Sequence, residues 1–258
     1  MISEKIELLG KNVYKDIPGE LTLKAMPTVN ELDYVSSEDF EQTMLENILP
    51  KCVEEKVDFY KLLNIDFYWI CRCLRLLTFG PYFTTPRILC PDCGTISGEY
   101  QVNLKGVNCV PLPEDFTNDI VIPKSEFVDF QGDVHLKLLT VQDRINLKKD
   151  KMFMKGNKQN TEYANLCYSI TSIGKEKDVT PVSVKVFIEK ELSRADYIIL
   201  LDKFHESADF GLRAGGSTKC PICGNTHAAF VALVDDRFLR PSVGDIKAGR
   251  NDRSARDA

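Results

Sequence analysis

Histidine, tryptophan and excess basic charge are all scarce in this chain. Of its 258 residues three are His and one is Trp. None of the histidines, His135, His205 and His227, sits in a recognisable nucleophile or metalloprotease motif. There is no Walker A loop and no Gly-x-Gly-x-x-Gly, and Gly211 to Gly216 lacks the strand-then-helix setting a phosphate cradle requires. Carboxylates are many, but no pair stands out. These gaps predict a protein that is not an enzyme. Lys and Arg total 33 against 38 Asp and Glu, for a net charge of -5. With no Lys/Arg stripe interleaved with aromatics, that balance argues against a non-sequence-specific nucleic-acid binder. No apolar run approaches the roughly 20 residues that span a bilayer. The opening residues mix Glu4, Lys5 and Glu7 with short apolar stretches, so no signal peptide is expected. Nine cysteines without a secretory signal imply a reducing compartment, free thiols and residence in a cytoplasm.

What the chain does have is one short pattern twice, CPDCG from Cys90 to Gly94 and CPICG from Cys220 to Gly224. Each is a Cys-x-x-Cys knuckle with Pro after the first Cys and Gly after the second. In such a turn two sulfurs converge and backbone N–H groups face them, which is half of a tetrahedral zinc site. Cys90, Cys93, Cys220 and Cys223 are therefore the expected ligands of one structural Zn2+. The knuckles lie much farther apart than the roughly 15–20 residues of a simple ribbon, so a shared ion would staple a large part of the chain. A vestigial pair, or two sites each completed by other ligands, are the alternatives, and His227 stands close enough in sequence to serve as a spare ligand. A redox role would call for a motif opening a helix within a βαβ unit, and Pro91 and Pro221 favour metal knuckles instead. Cys52, Cys71, Cys73, Cys109 and Cys167 fall mostly in apolar helical segments and read as small core residues.

Periodicity predicts an α+β fold in which helical segments pack with short antiparallel strands and a zinc-ribbon-like knuckle subdomain. Leu21 and Leu23 alternate with Thr22 and Lys24 in a short β element. A helix is expected from a Ser37 N-cap, with Phe40, Met44, Ile48 and Cys52 as its stripe and Pro50 kinking or ending it. The next helix starts near Asn64. Phe67, Ile70, Cys71, Leu74 and Leu77 form its buried stripe, Arg72 and Arg75 lie off it, and Gly80-Pro81 stops it. Short strands are expected around Tyr100 to Leu104, Ile120 to Ile122 and Val134 to Leu138. Thr140 opens a polar helix reaching about Lys155, and Tyr163, Leu166, Cys167, Ile170 and Ile173 read as one helical stripe. Thr180 with Pro181 and Ser193 with Asp196 mark two further helix starts. The expected organisation is a β opening with helices (1–84), a first knuckle and β segment (85–139), a helical segment (140–210), a second knuckle and strand (211–243) and a polar tail (244–258). The tail is expected either to order only on a partner, with Arg250, Arg253 and Arg256 as anchors, or to be a solvated, inert terminus.

The order of these features resembles the T-even phage baseplate hub assembly protein family. The carrying residues are Leu23 to Glu31 (LKAMPTVNE), Cys52-Val53, Asp66, Leu74-Arg75, Phe79-Gly80-Pro81-Tyr82, the first knuckle, Leu138 to Asp143, Ser193 to Asp196, the second knuckle and Arg240-Pro241-Ser242. The resemblance spans Val13 to Ser242, with the family's Leu-Pro-Ser-x-Gly opening degraded here to Asp16-Ile17-Pro18-Gly19. It implies a non-enzymatic tailed-phage baseplate protein of the hub or tail tip, structural or needed for assembly. Its partners would be other phage tail proteins, and its location the host cytoplasm during assembly and then the virion tail. The rival expectation is a zinc-ribbon nucleic-acid-binding or transcription-complex protein.

Overall fold

The alternating leucines of the N-terminal region need a partner strand, and the chain supplies it from its own first residues. In the computed structural model, β1 (Ser3–Glu7) pairs antiparallel with β2 (Glu20–Lys24), setting Ile6 opposite Leu21. The structure describes residues 2–27, 40–85, 90–95, 100–155, 158–207, 209–212, 215–220, 222–230 and 244. Leu21 and Leu23 are fully buried, as period-two alternation over a half-buried hairpin demands. The strand β1 buries only Ile6 and leaves Glu4, Lys5 and Glu7 exposed, so it was not legible as a strand.

Pro50 does not end the helix that contains it. An α turn (Phe40–Thr43), a π turn (Met44–Ile48) and a second α turn (Leu49–Cys52) run on as α1. Proline has no N–H to offer the regular ladder. The chain absorbs the mismatch by widening the preceding turn, where the Leu49 N–H bonds to the Met44 carbonyl. Met44, Ile48 and Cys52 are buried as expected; Ser37 lies outside the described residues.

α2 (Asn64–Phe79) buries its whole predicted stripe, and Gly80 closes it at φ 87°, a conformation few side chains tolerate. Its arginines depart from expectation. Arg72 is 8 % exposed and Arg75 fully buried. Arg72 stacks on Trp69 and donates from Nε and Nη2 to the Leu104 carbonyl at 3.2 and 3.0 Å. The reading that sets Arg72 and Arg75 off the buried face is thereby corrected. A long cationic stem can be buried when its head finds carbonyls, and hydropathy patterning does not register that.

Two hydrophobic cores follow from these choices. The first gathers β1, β2, α1 and α2 with Phe83, Leu104, Val107 and Val141. The second is built on an antiparallel sheet of order β11-β10-β7-β6, from β6 (Ile120–Ile122), β7 (Val134–Leu136), β10 (Ile170–Ile173) and β11 (Glu176–Lys177). Helices α3 (Val141–Lys149), α4 (Thr161–Ser169), α5 (Pro181–Lys190) and α6 (Arg194–Ser207) supply most of the rest, with Phe127 and Phe153. α3 joins the two cores, placing Val141 in the first and Leu147 in the second. Its Arg144 stacks over Phe67 and Tyr68 and, with Lys148, pairs with the buried Glu41 of α1. The Cys52, Cys71, Cys73 and Cys167 thiols are all buried, while Cys109 is half-buried in β5 (Cys109–Val110).

Two helix ends differ from the sequence reading, and a third helix starts as expected but without the second half of its capping box. α3 stops at Lys149, because the Asp150 carboxylate caps a 3-10 turn (Lys151–Phe153) by accepting from the Met152 N–H. α4 stops at Ser169, and Ile170 and Ile173 belong to β10. Ile170 and Thr171 are β-branched, and the empty edge of β7 captures the segment. Ser193 caps α6 by accepting from the Asp196 N–H at 3.2 Å, but Asp196 does not return the bond. Its buried carboxylate instead accepts from Val128, Asp129 and Phe130 N–H at 2.6, 3.1 and 2.9 Å, pinning that loop to α6. Desolvation works against the charge, yet the Val128, Phe130 and Asp129 donors hold the carboxyl below its ordinary 3.8.

A depressed folded-state value adds stability above the unfolded pKa, and that stability is lost as pH falls through the folded value. Melting temperature should therefore drop between about pH 5 and about pH 2 more steeply for the parent than for Asp196→Asn. Parallel pH profiles would show that Asp196 is not the group responsible.

Candidate metal centre

Each knuckle sits between two strands, and the two are built alike. The first lies between β3 (Tyr82–Thr85) and β4 (Tyr100–Asn103), which pair antiparallel. The second lies between β13 (Gly215–Lys219) and β14 (Thr226–Phe230), also antiparallel. In the first, the Cys90 N–H bonds to the Thr95 carbonyl and the Gly94 N–H to the Cys90 carbonyl, both at 3.0 Å. In the second, Cys220 to Asn225 and Gly224 to Cys220 repeat this at 2.7 and 2.9 Å. Gly94 and Gly224 close the turns at φ 65° and 77°. A Cβ on Gly94 would meet nothing within 4 Å, so backbone conformation, not space, selects glycine there. Asn225 Nδ2 donates to Asp92 Oδ2 at 3.1 Å from one turn to the other.

This arrangement brings all four predicted cysteines together across more than a hundred residues of chain. Their Sγ atoms all lie within 4.8 Å of one another. Cys90 to Cys223 is 3.7 Å and Cys93 to Cys220 is 3.9 Å. Four thiolates about 2.3 Å from one tetrahedral ion are separated by about 3.8 Å along each edge, whereas a disulfide needs about 2.0 Å. The spacing is that of a metal cage, and the four cysteines can bind one metal ion. Cys90 and Cys220 are buried at the base, and Cys93 and Cys223 face solvent.

Local donors favour the thiolate that a metal requires. The Thr95 hydroxyl and N–H bring Cys93 down to about 6. The Cys223 and Ile222 N–H groups lower Cys220, the latter from 3.4 Å. At Cys223 the Asn225 N–H pulls downward, but desolvation and the Cys220, Cys90 and Cys93 thiols push it up to about 12. Four such sulfurs cannot all ionise side by side without a cation among them. Four soft thiolates in a tetrahedron suit zinc or iron.

The other residues singled out by sequence lie elsewhere. His135 Nδ1 meets Asp119 at 2.8 Å and His205 Nε2 meets Glu162 at 2.9 Å, both away from the cysteines. His227 pairs with Thr218 across the second hairpin, and its side chain lies outside the described residues. So do Arg240 to Ser242 and residues 245–258 of the tail. The Asp92–Asn225 link and the Thr95 donors were not anticipated. Their one signal was a polar residue in or just after each knuckle.

The polar members of the ordered motif set hold the fold. Asp66 accepts from the Leu9 N–H at 2.6 Å, the Gly10 N–H at 3.2 Å and the Tyr14 hydroxyl at 2.6 Å. Arg75 grips the Phe79-Gly80-Pro81-Tyr82 turn, and Thr140 with Asp143 forms a complete capping box on α3. No helix among the described residues is long and apolar enough to cross a membrane. Comparison of the chain with protein-family models, curated proteins and solved structures returned no match.

Proposed function

We propose that this chain is a non-enzymatic structural or assembly protein of a tailed-phage baseplate, held together by a four-cysteine zinc. The observation that carries the reading is the closed cysteine cage. A catalytic zinc keeps an open ligand position, and four cysteines around one ion leave none. Zinc is preferred because it favours tetrahedral thiolate sites and undergoes no redox change. The resemblance motifs support the phage assignment. Asp66, Arg75, Asp143 and Asp196 each anchor backbone or cap a helix, which is what a rigid, partner-facing component asks of its polar residues. Assembly would take place in the host cytoplasm, with residence in the tail baseplate.

The experiment is made in the phage that encodes the chain. Deletion should stall tails before baseplate completion, and mass spectrometry of purified particles should then separate a virion component from an assembly factor. Infectious particles with intact tails from the deletion would overturn the proposal. The paired knuckle hairpins also suit a zinc-ribbon nucleic-acid protein. That reading requires DNA or RNA affinity falling steeply with salt, against a chain whose net charge is -5.

A further inference from the structure

The sheet of the second core ends on an open edge. β6 is its outermost strand, paired with β7 on one side, and among the described residues no backbone bond reaches its other side. In an antiparallel pair alternate residues direct N–H and C=O away from the partner. So at least one residue of Ile120–Ile122 offers an unmet donor and acceptor outward. A groove of about 380 Å³ runs beside this edge, walled on the far side by the end of α6 and by Phe210. It is lined by Ile120, Val121 and Ile122 in succession. Consecutive residues of a strand point to opposite faces, so a groove that touches all three follows the edge and not one face. Its floor is apolar, with Phe116 and Phe210 in edge-to-face contact at 5.6 Å and Val121 47 % exposed. Pro123 also lines it.

We propose that this groove receives an extended segment of a partner protein, added to the sheet as a fifth strand beside β6. An unpaired strand edge is satisfied by main-chain N–H and C=O groups in the same spacing, which only another extended backbone provides. The partner's chemistry follows from the rim. Glu126 and Glu206 line the groove with Lys203, and Lys203 already bridges to both at 3.8 and 3.1 Å. Glu114 and Asp115, both exposed, directly precede Phe116 in the chain. The segment is therefore one that alternates apolar residues with Lys or Arg. This site belongs to the second core and stands whether or not the protein serves a phage tail.

The probe is a fluorescein-labelled Lys-Val-Lys-Val-Lys-Val peptide titrated into the full chain, followed by anisotropy and by amide NMR shifts. Binding should perturb the Ile120–Ile122 amides. N-methylating the peptide backbone at alternate residues should weaken it about tenfold or more, since each lost hydrogen bond costs a factor of about 3–10. A Glu-Val counterpart should not bind. The double variant Glu126→Lys, Glu206→Lys, which alters exposed side chains, should reverse that preference. Four results overturn the proposal: no binding of the basic peptide at millimolar concentration, equal binding of its N-methylated form, equal binding of the acidic peptide, or shifts that map away from β6. A peptide of residues 244–258 occupying the same amides would assign the groove to this chain's own tail and overturn the external partner.

Discussion

Cys220→Ser is expected to strip the protein of its metal. Elemental analysis of the purified parent should give one zinc per chain, and both Cys220→Ser and Cys90→Ser should give close to none. The two substitutions lie on different hairpins, so equal loss is the signature of one shared ion. The magnitude follows from linkage, since structural zinc contributes about 10–16 kcal/mol in zinc-finger peptides and here would be the main force joining the hairpins. The Asn225–Asp92 side-chain bond also connects the turns, but a neutral-to-charged bond at an exposed site contributes far less. The two hydrophobic cores have their own buried residues, so far-UV circular dichroism should stay near that of the parent while the knuckles open. Cys167→Ser, at a buried thiol remote from the cage, is the control that should keep full metal. Two zincs per chain, or a Cys220→Ser protein with unreduced metal, would show that the knuckles do not share a site. Iron in place of zinc would keep the cage and change its occupant.

The knuckles were legible because their chemistry is local: four or five residues define the turn, and the same turn appears twice. That they meet was a wager on coordination number, and nothing in the intervening residues encodes it. Hairpins β3–β4 and β13–β14 each present one knuckle, and β4 lies against β13, a long-range contact that local pattern does not encode. Helices with a clean apolar stripe, such as α2, were legible in extent and stripe, though not in the burial of Arg72 and Arg75. Ile170 and Ile173 were not, since a β-branched run continuing a helical stripe fits either state until a neighbouring strand edge selects one. The buried polar anchors were hidden for a different reason. Asp66, Arg75 and Asp196 reach backbone groups 5–68 residues away, and hydropathy reads all three as surface.

Arg75→Ala is expected to rank with the largest core truncations. The side chain is fully buried, stacks on Phe79 and donates from Nη1 to the Gly80 carbonyl at 2.8 Å and from Nη2 to the Tyr82 carbonyl at 2.6 Å. Its removal leaves desolvated carbonyls and a void in α2, a combination that costs about 3–5 kcal/mol. Leu74→Ala, one residue earlier on the same helix, should cost about 2–5 kcal/mol by cavity formation alone. The two differ in what happens next. Arg75 holds the turn from which β3 departs toward the first knuckle, so its loss should also weaken metal binding, whereas Leu74→Ala should leave the metal affinity of the folded protein unchanged. Arg75→Lys should restore little of either property, because one ammonium cannot reproduce the planar fork that meets two carbonyls at once. Thermal melts and competitive zinc titration against a chromogenic chelator measure both quantities on the same samples. Zinc affinity that is equal in Arg75→Ala and Leu74→Ala would mean that the turn and the metal centre are uncoupled.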